Sequence, residues 1–210
     1  MGLREMKKQQ TRQNISNQAT RLFLRHGFDR VTIADVAAAA QVAKMTVTNY
    51  FPRKEDLALD LRDAFVGRLA LTVAERPAGE PALAALRREF QRAVDRRDPV
   101  IGFSGRDFAR MLVQSPALVA RLREFHEERE AALAAVLAEE TGAGPDDPLP
   151  RLVAAQLGGV HRVLFQETLR RTLDGESDDE IAAALTASAR TAFDLLEPSL
   201  ADYAAAHSPN

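Results

Sequence analysis

The sequence predicts an all-α fold: an N-terminal three-helix helix-turn-helix domain followed by a helical bundle, about nine helices in all. Three observations carry that reading. The composition is rich in Ala, Leu, Arg and Glu and poor in aromatics and Val/Ile runs, which suits helices better than strands. Apolar residues recur at spacings of three and four along most of the chain, the period of one helix face. The breaks carry helix punctuation at Gly27, Pro52, Pro77, Ser115-Pro116, Gly142, Asp147-Pro148 and Pro198.

Residues 9–26 place Ile15, Ala19, Leu22 and Phe23 on one face, and Gly27 is a natural stop. Thr32 opens T-I-A-D, a capping-box-like start with Asp35 in place of the preferred Glu. The Ala-rich run that follows, to residue 40, can pack closely on a neighbour. After a break near Gln41-Val42, residues 44–50 form another short helix, closed by Pro52. Glu55 and Asp56 sit where a new helix favours negative charge. Leu57, Leu61, Phe65, Leu69 and Val73, spaced by four, predict one helix over 54–76.

A helix over 81–96 carries Leu83, Leu86, Phe90 and Val94, and Ser104 to Asp107 start a short one reaching Val113. Ser115-Pro116 pairs an N-cap with proline at the first helical position. It opens a helix to about residue 140 whose stripe is Leu118, Leu122, Phe125, Ala132 and Val136. GAGPDDP is the clearest loop. Asp147-Pro148 starts a helix to about 173, and Ser177-x-x-Glu180 is a capping box for a last one to about 197.

A chain of 210 residues suffices for one sizeable or two small domains, drawn here as 1–53 and 54–210. It has no cysteine, so a reducing, cytoplasmic setting is expected. There is no apolar signal core and no run near the ~20 residues a bilayer span needs, so no membrane partner is expected. The net charge of −2 hides an asymmetry: residues 1–56 hold ten Lys/Arg against five Asp/Glu, the remainder 18 against 25. A positive head on a negative body attracts polyanions at one end.

Catalytic signatures are missing. His126-Glu127-Glu128 lacks the second histidine of H-E-x-x-H, no Glu-x-x-His pair suggests a di-iron bundle, and no nucleophile elbow, P-loop or dinucleotide fingerprint occurs. No catalytic residue, metal ligand or cofactor is therefore predicted, and a small helical enzyme is the most distant alternative.

Only three or four residues separate helices 33–40 and 44–50, the spacing of a helix-turn-helix whose second member enters the DNA major groove. That purpose explains why the second helix carries poor helix formers. Thr46 and Thr48 offer hydroxyls and a methyl suited to thymine, and Asn49 a paired donor and acceptor. Lys44 and Lys54 supply charge for phosphates. Tyr50 can turn its ring inward and its hydroxyl toward the DNA backbone, while Phe51 anchors in the head's core.

Residues 15–61 resemble the DNA-binding domain of TetR-family transcriptional regulators. The resemblance lies in A-x-x-L-F-x-x-x-G-F from Ala19 to Phe28, V-T-I-A-D-V-A from Val31 to Ala37, and V-A-K-M-T-V-T-N-Y-F-P-R-K-E-D-L from Val42 to Leu57. The helix count and total length also fit. The resemblance implies that Thr32 caps its helix and touches a phosphate, that Lys44, Met45, Thr46, Thr48 and Asn49 face the groove, and that Tyr50 and Lys54 bind phosphates. Three positions depart from the family's pattern. Gln41 stands where glycine is common in the turn. Ala43 replaces a capping Ser or Asn, at a cost of about 1 kcal/mol. Arg53 replaces a common Ser. The resemblance implies a ligand-responsive regulator, expected to repress, that binds a palindromic double-stranded DNA operator as a homodimer. The alternative is an effector-independent DNA-binding or architectural dimer.

By resemblance and by pattern, the last two long helices are the candidate dimer face. Leu152, Val153, Val160, Val163 and Leu164 lie along one, and Ile181, Leu185, Ala189, Ala192 and Leu196 along the other. Gly158, Gly159, Ala184 and Ser188 allow close approach. The two recognition helices would then meet half-sites about 34–36 Å apart. The middle helices are the candidate small-molecule effector site. Arg129 occupies a core-like position beside His126, and a charge on an apolar stripe needs a partner, either a buried carboxylate or an effector. Phe65, Phe90, Phe103, Phe108, Phe125, Phe165 and Met111 are candidate walls, with His161 and Gln156 as polar contacts. Helix 54–76 would link effector to head.

Overall fold

The computed structural model describes residues 2–205. The described residues hold ten α-helices and one 3-10 turn and no strand: α1 (Leu3–His26), α2 (Ile33–Ala39), α3 (Lys44–Tyr50), α4 (Lys54–Ala58), α5 (Arg62–Ala74), α6 (Ala82–Asp95), the turn Pro99–Ile101, α7 (Arg106–Gln114), α8 (Pro116–Thr141), α9 (Leu149–Asp174) and α10 (Asp178–Leu200). Among the described residues no helix is long and apolar enough to cross a membrane. The chain forms two compact units. One takes the residues up to Arg62 together with Asp107–Arg123, the other Asp63–Arg106 with the residues from Glu124 onward.

In the first unit, α1 packs on α2 and α4, and α2 on α3. Its core is built from Ile15, Ala19, Phe23, Phe28, Val36, Val47, Phe51 and Leu57, all buried. Helix α1 begins six residues earlier than the apolar pattern predicts. Gly2 O accepts from the N–H groups of Glu5 and Met6 at 3.0 and 3.1 Å, and the added Arg4, Glu5, Met6, Lys7 and Lys8 are good helix formers needing no buried face.

The single helix predicted over 54–76 is two. The chain breaks at residues 59–61, where Leu59 leaves helical geometry at φ −106°, ψ 50°. The Asp60 carbonyl accepts from Arg12 Nη2 at 3.2 Å, and its carboxylate accepts from the Ser16 hydroxyl. Helix α1 thus holds the break with two side-chain bonds, although the apolar spacing runs through it without a pause. Arg121, from the start of α8, binds Asp56 at 2.8 Å with both side chains nearly covered, joining this segment to α4.

The second unit packs α10 against α6 and α9 over a core that includes Leu69, Val73, Leu86, Phe90, Leu133, Leu137, Leu157, Ile181, Leu185 and Phe193. Arg76 is buried and forms paired bonds to Glu140 at 2.7 and 2.6 Å, with further bonds to the carbonyls of Val73, Glu80 and Ala204. The turn Pro99–Ile101, which has no period to betray it in sequence, is capped by Asp98 Oδ1 on Val100 N–H at 2.9 Å and packs on α9. It closes at Gly102, whose φ of +108° suits only glycine. Helix α10 runs through Pro198 to Leu200, three residues beyond its expected end.

Candidate nucleic-acid interface and buried cavity

The turn before α3 is a helix stop made without glycine. Val42 N–H bonds Ala37 O at 3.0 Å and Gln41 N–H bonds Ala38 O at 3.2 Å, the paired closure of a Schellman motif. The motif requires a left-handed residue after the helix, and Gln41 takes φ +56°. That conformation costs a residue with a Cβ roughly 1–2 kcal/mol. Upstream, Thr32 and Asp35 form a complete capping box. The Thr32 N–H and hydroxyl both donate to Asp35 Oδ2, at 2.8 and 2.7 Å, and Asp35 N–H returns a bond to Thr32 Oγ1 at 3.2 Å. These bonds from Thr32 hold the Asp35 carboxyl below its usual range.

Helix α3 buries Val47 completely and turns Lys44, Met45, Thr48 and Asn49 to solvent on the opposite side. Met45 is 71% exposed and adds apolar surface to that polar face. Thr46 and Tyr50 are half-buried at the flanks. Thr48 Oγ1 donates to Met45 O at 3.1 Å, which parks the hydroxyl on its own helix. Lys54 does not reach into open solvent: its ammonium lies 4.3 Å from the Phe28 ring centroid and donates to Asp29 O at 3.4 Å. Arg53 N–H donates to Asp56 Oδ2 at 3.3 Å, so the residue in the usual serine's place is capped from within α4.

Ala43, the N-cap of α3, makes no side-chain cap bond. Ala43→Ser is expected to stabilise the first unit by about 1 kcal/mol, readable as a higher denaturation midpoint in the full chain. An unchanged midpoint would mean that the first turn of α3 is satisfied in another way.

A feature the sequence pattern left out lies beside Tyr50. An open groove of about 610 Å³ is lined by Arg4, Glu5, Lys7, Lys8, Thr11 and Tyr50. The extra turn and a half of α1 brings three cations there. The charge count of the head contained them, but the apolar periodicity, starting later, gave them no place.

The effector candidates divide. Phe65, Phe125, His126, Arg129 and Phe165 form one buried cluster. The Phe65 ring meets His126 edge-on at 5.1 Å and Phe165 at 5.7 Å, and His126 meets Phe165 at 5.8 Å. The Arg129 guanidinium sits 4.5 Å from the Phe65 centroid and its Nη2 bonds His126 Nδ1 at 2.9 Å. Phe90 packs edge-on against His161 at 5.5 Å, and Phe103 is buried in the same unit. Phe108 and Met111 lie in the first unit, where Met111 lines a groove of about 370 Å³ with Phe28, Arg30 and Arg110. Gln156 is exposed on α9, facing away from the cluster.

A cavity of about 20 Å³ touches Leu69, Leu86, Phe90, Ile101, Arg129 and His161, together with the partly exposed Arg68, Glu89 and Asp98. Burial lowers Arg129 to about 10, so it stays protonated at neutral pH. Burial, with Arg129 next in effect, pushes both His126 and His161 down to about 3. Both imidazoles are thus neutral where the guanidinium is charged. Arg129 Nε and His161 Nε2 are buried without a partner.

Two family models match the chain. The one described as bacterial regulatory proteins, tetR family, covers residues 15–61, and the one described as MftR C-terminal domain covers residues 80–201. The HTH-type transcriptional regulator TcmR of Streptomyces glaucescens is 31% identical over 205 residues, 95% of this chain and 88% of TcmR. Among solved structures, GusR of Salmonella enterica superposes with a TM-score of 0.51 at 22% identity, covering 91% of this chain and 95% of GusR. NalD of Pseudomonas aeruginosa, the secondary repressor of the MexAB-OprM multidrug efflux pump, gives 0.55 at 19%, covering 88% and 97%. At such identities the two superpositions speak for the fold.

Proposed function

The chain belongs to the TetR family of bacterial regulatory proteins and is a DNA-binding transcriptional regulator; from that premise we propose that it is a homodimeric repressor released from a palindromic operator by a small-molecule effector. Residues 1–53 carry the DNA contacts in this reading, and residues 54–210 carry the effector and dimer functions. The observation that supports it most is the two-sidedness of α3. Val47 is locked in the core while Lys44, Met45, Thr48 and Asn49 stand out together on the other face. A helix so short and rich in poor helix formers is stabilised by its packed side and presents its free side to a partner.

Asn49 and the Thr48 methyl read base edges, and Met45 adds apolar contact. Lys44 and Tyr50 grip phosphates, joined by Arg4, Lys7 and Lys8 from α1, while the Lys54 ammonium must leave Phe28 to do so. Thr32 is committed to its cap, so its phosphate contact runs through the helix N-terminus it stabilises. The effector reading is supported by the buried charge at Arg129, which no carboxylate bonds among the described residues.

A footprint on DNA flanking the protein's own gene tests the proposal. Protection of an inverted repeat, with affinity falling steeply as salt rises, is the expected result. Lys44→Ala should weaken binding to all sequences alike and lower the slope of log K against log salt by about one unit. An unchanged slope would take Lys44 off the phosphate backbone. No salt-sensitive preference for any inverted repeat would defeat the regulator reading itself.

A further inference from the structure

Resting on that reading, we propose that the effector is an organic anion: an apolar body bearing a carboxylate, or an equivalent acidic oxygen, that pairs with Arg129 in the cavity of the second unit. The argument starts from charge. Arg129 is 3% exposed, and its bonded neighbour is the neutral acceptor His126 Nδ1 at 2.9 Å. A buried guanidinium facing an imidazole and a phenyl ring is poorly compensated, since buried charges are ordinarily paired.

The acids nearby are occupied. Glu89 and Asp98 line the same cavity, but Arg68 binds them at 3.2 and 3.4 Å and Arg96 at 2.9 and 3.4 Å, two cations on two carboxylates. Asp98 also accepts from Val100 N–H. Glu130 supports the Arg129 charge, yet its Oε1 faces Arg162 at 3.5 Å. The charge at Arg129 therefore has no answering carboxylate bond among the described residues.

The geometry supplies the remaining features. Arg129 Nε and His161 Nε2 are both unpartnered and both belong to residues at the cavity. A carboxylate has two oxygens able to accept from such donors. Leu69, Leu86, Phe90 and Ile101 supply apolar surface. The cavity of about 20 Å³ has room for about one water, so the ligand's body enters only by displacing side chains. An anion that binds the opened arrangement better than the closed one shifts the balance between them, which is what an inducer must do.

The test uses the full chain, Arg129→Met and Arg129→Lys, followed by thermal melting and by operator binding. The probes are benzoate, 2-naphthoate and octanoate, each beside its primary amide. At least one acid is expected to raise the wild-type melting temperature and release operator, with its amide weaker by roughly tenfold or more. Without ligand, Arg129→Met is expected to melt higher than wild type, because an uncompensated buried charge is gone, and to treat acid and amide alike. Arg129→Lys should keep a preference for the acid. A lower melting temperature or failure to fold in Arg129→Met would make Arg129 a structural strut and overturn the proposal. So would an acid preference that survives in Arg129→Met, no acid outperforming its amide on wild type, or chloride or sulfate matching the best acid. Melting is read without DNA, so failure to bind any operator would sink the regulator reading while these outcomes still decide the anion.

Discussion

Val163→Glu is expected to abolish operator binding while leaving each protomer folded. Val163 is 61% exposed in the middle of α9 and Leu195 is 75% exposed on α10. Single exposed apolar residues are ordinary, but here they fall in rows. Leu152, Ala155, Gly159 and Val163 follow one another at spacings of three and four along the outer side of α9, and Ala184, Ser188, Thr191 and Leu195 do so on α10. Their inward neighbours Val153, Leu164, Ile181, Leu185 and Ala189 are buried in the protomer's own core. The residues first read as one dimer face thus separate into a core side and an outer side, and in the proposed homodimer it is the outer side that would meet the second copy.

In a twofold contact every residue is used twice, so a glutamate near the axis brings a second one close to it. A protomer holding one half-site forfeits the gain from tethering both, about 100-fold or more in affinity. Sedimentation should show a monomer, helical content should be unchanged, and operator binding should fall below detection at concentrations that saturate wild type. A Val163→Glu protein that remains a dimer would move the interface elsewhere.

Gly102→Ala is expected to cost about 2–4 kcal/mol and to lower the melting temperature by roughly 5–15 °C. Two penalties act together. The backbone at Gly102 sits at φ +108°, where a Cβ is strained. An added Cβ would also lie 2.9 Å from Thr168 Cβ, 3.1 Å from Thr168 Cγ2 and 3.3 Å from the Phe165 carbonyl oxygen. Thr168 is fully buried and its hydroxyl is tied to Leu164 O at 2.9 Å, so the side chain cannot rotate away. Gly105→Ala is the control. Its φ of +78° is strained too, but nothing lies within 4 Å of an added Cβ. It should lose only the backbone part, about 1–2 kcal/mol. Equal losses at the two positions would remove the steric contribution at Thr168.

How far the sequence reached follows from what kind of signal each element leaves. The α2–turn–α3 unit was legible because its caps and spacing are local, while the glycine-like position of Gln41 and the missing cap at Ala43 were legible only against the pattern of the family it resembles. Arg129 was legible as an anomaly because a charge interrupts the stripe of α8, and its burial follows from that stripe. The break between α4 and α5 was not, since Leu57, Leu61 and Phe65 keep their period across it and only Arg12 and Ser16, more than forty positions away, reveal it. The grouping of residues 107–123 with the head was equally hidden: contacts such as Arg121 with Asp56, and Met111 beside Phe28, join positions far apart in sequence. Phe108 and Met111 were read as walls on composition alone, and a phenyl or thioether carries no mark of which core it joins. The cations of early α1 were missed because a helix turned wholly to solvent has no apolar period.

The interlocked rings around His126 have a spectroscopic consequence. Hydrogens on the edge of one aromatic ring lie over the face of the next, where circulating π electrons shift their resonances away from the crowded aromatic region. The chain has no tryptophan, two tyrosines and four histidines, so a magnetic-resonance spectrum of its imidazoles is sparse and two of its signals come from this interior. The protein therefore carries its own dye-free gauge, in which the imidazole resonances would register a guest at the cluster without any added label.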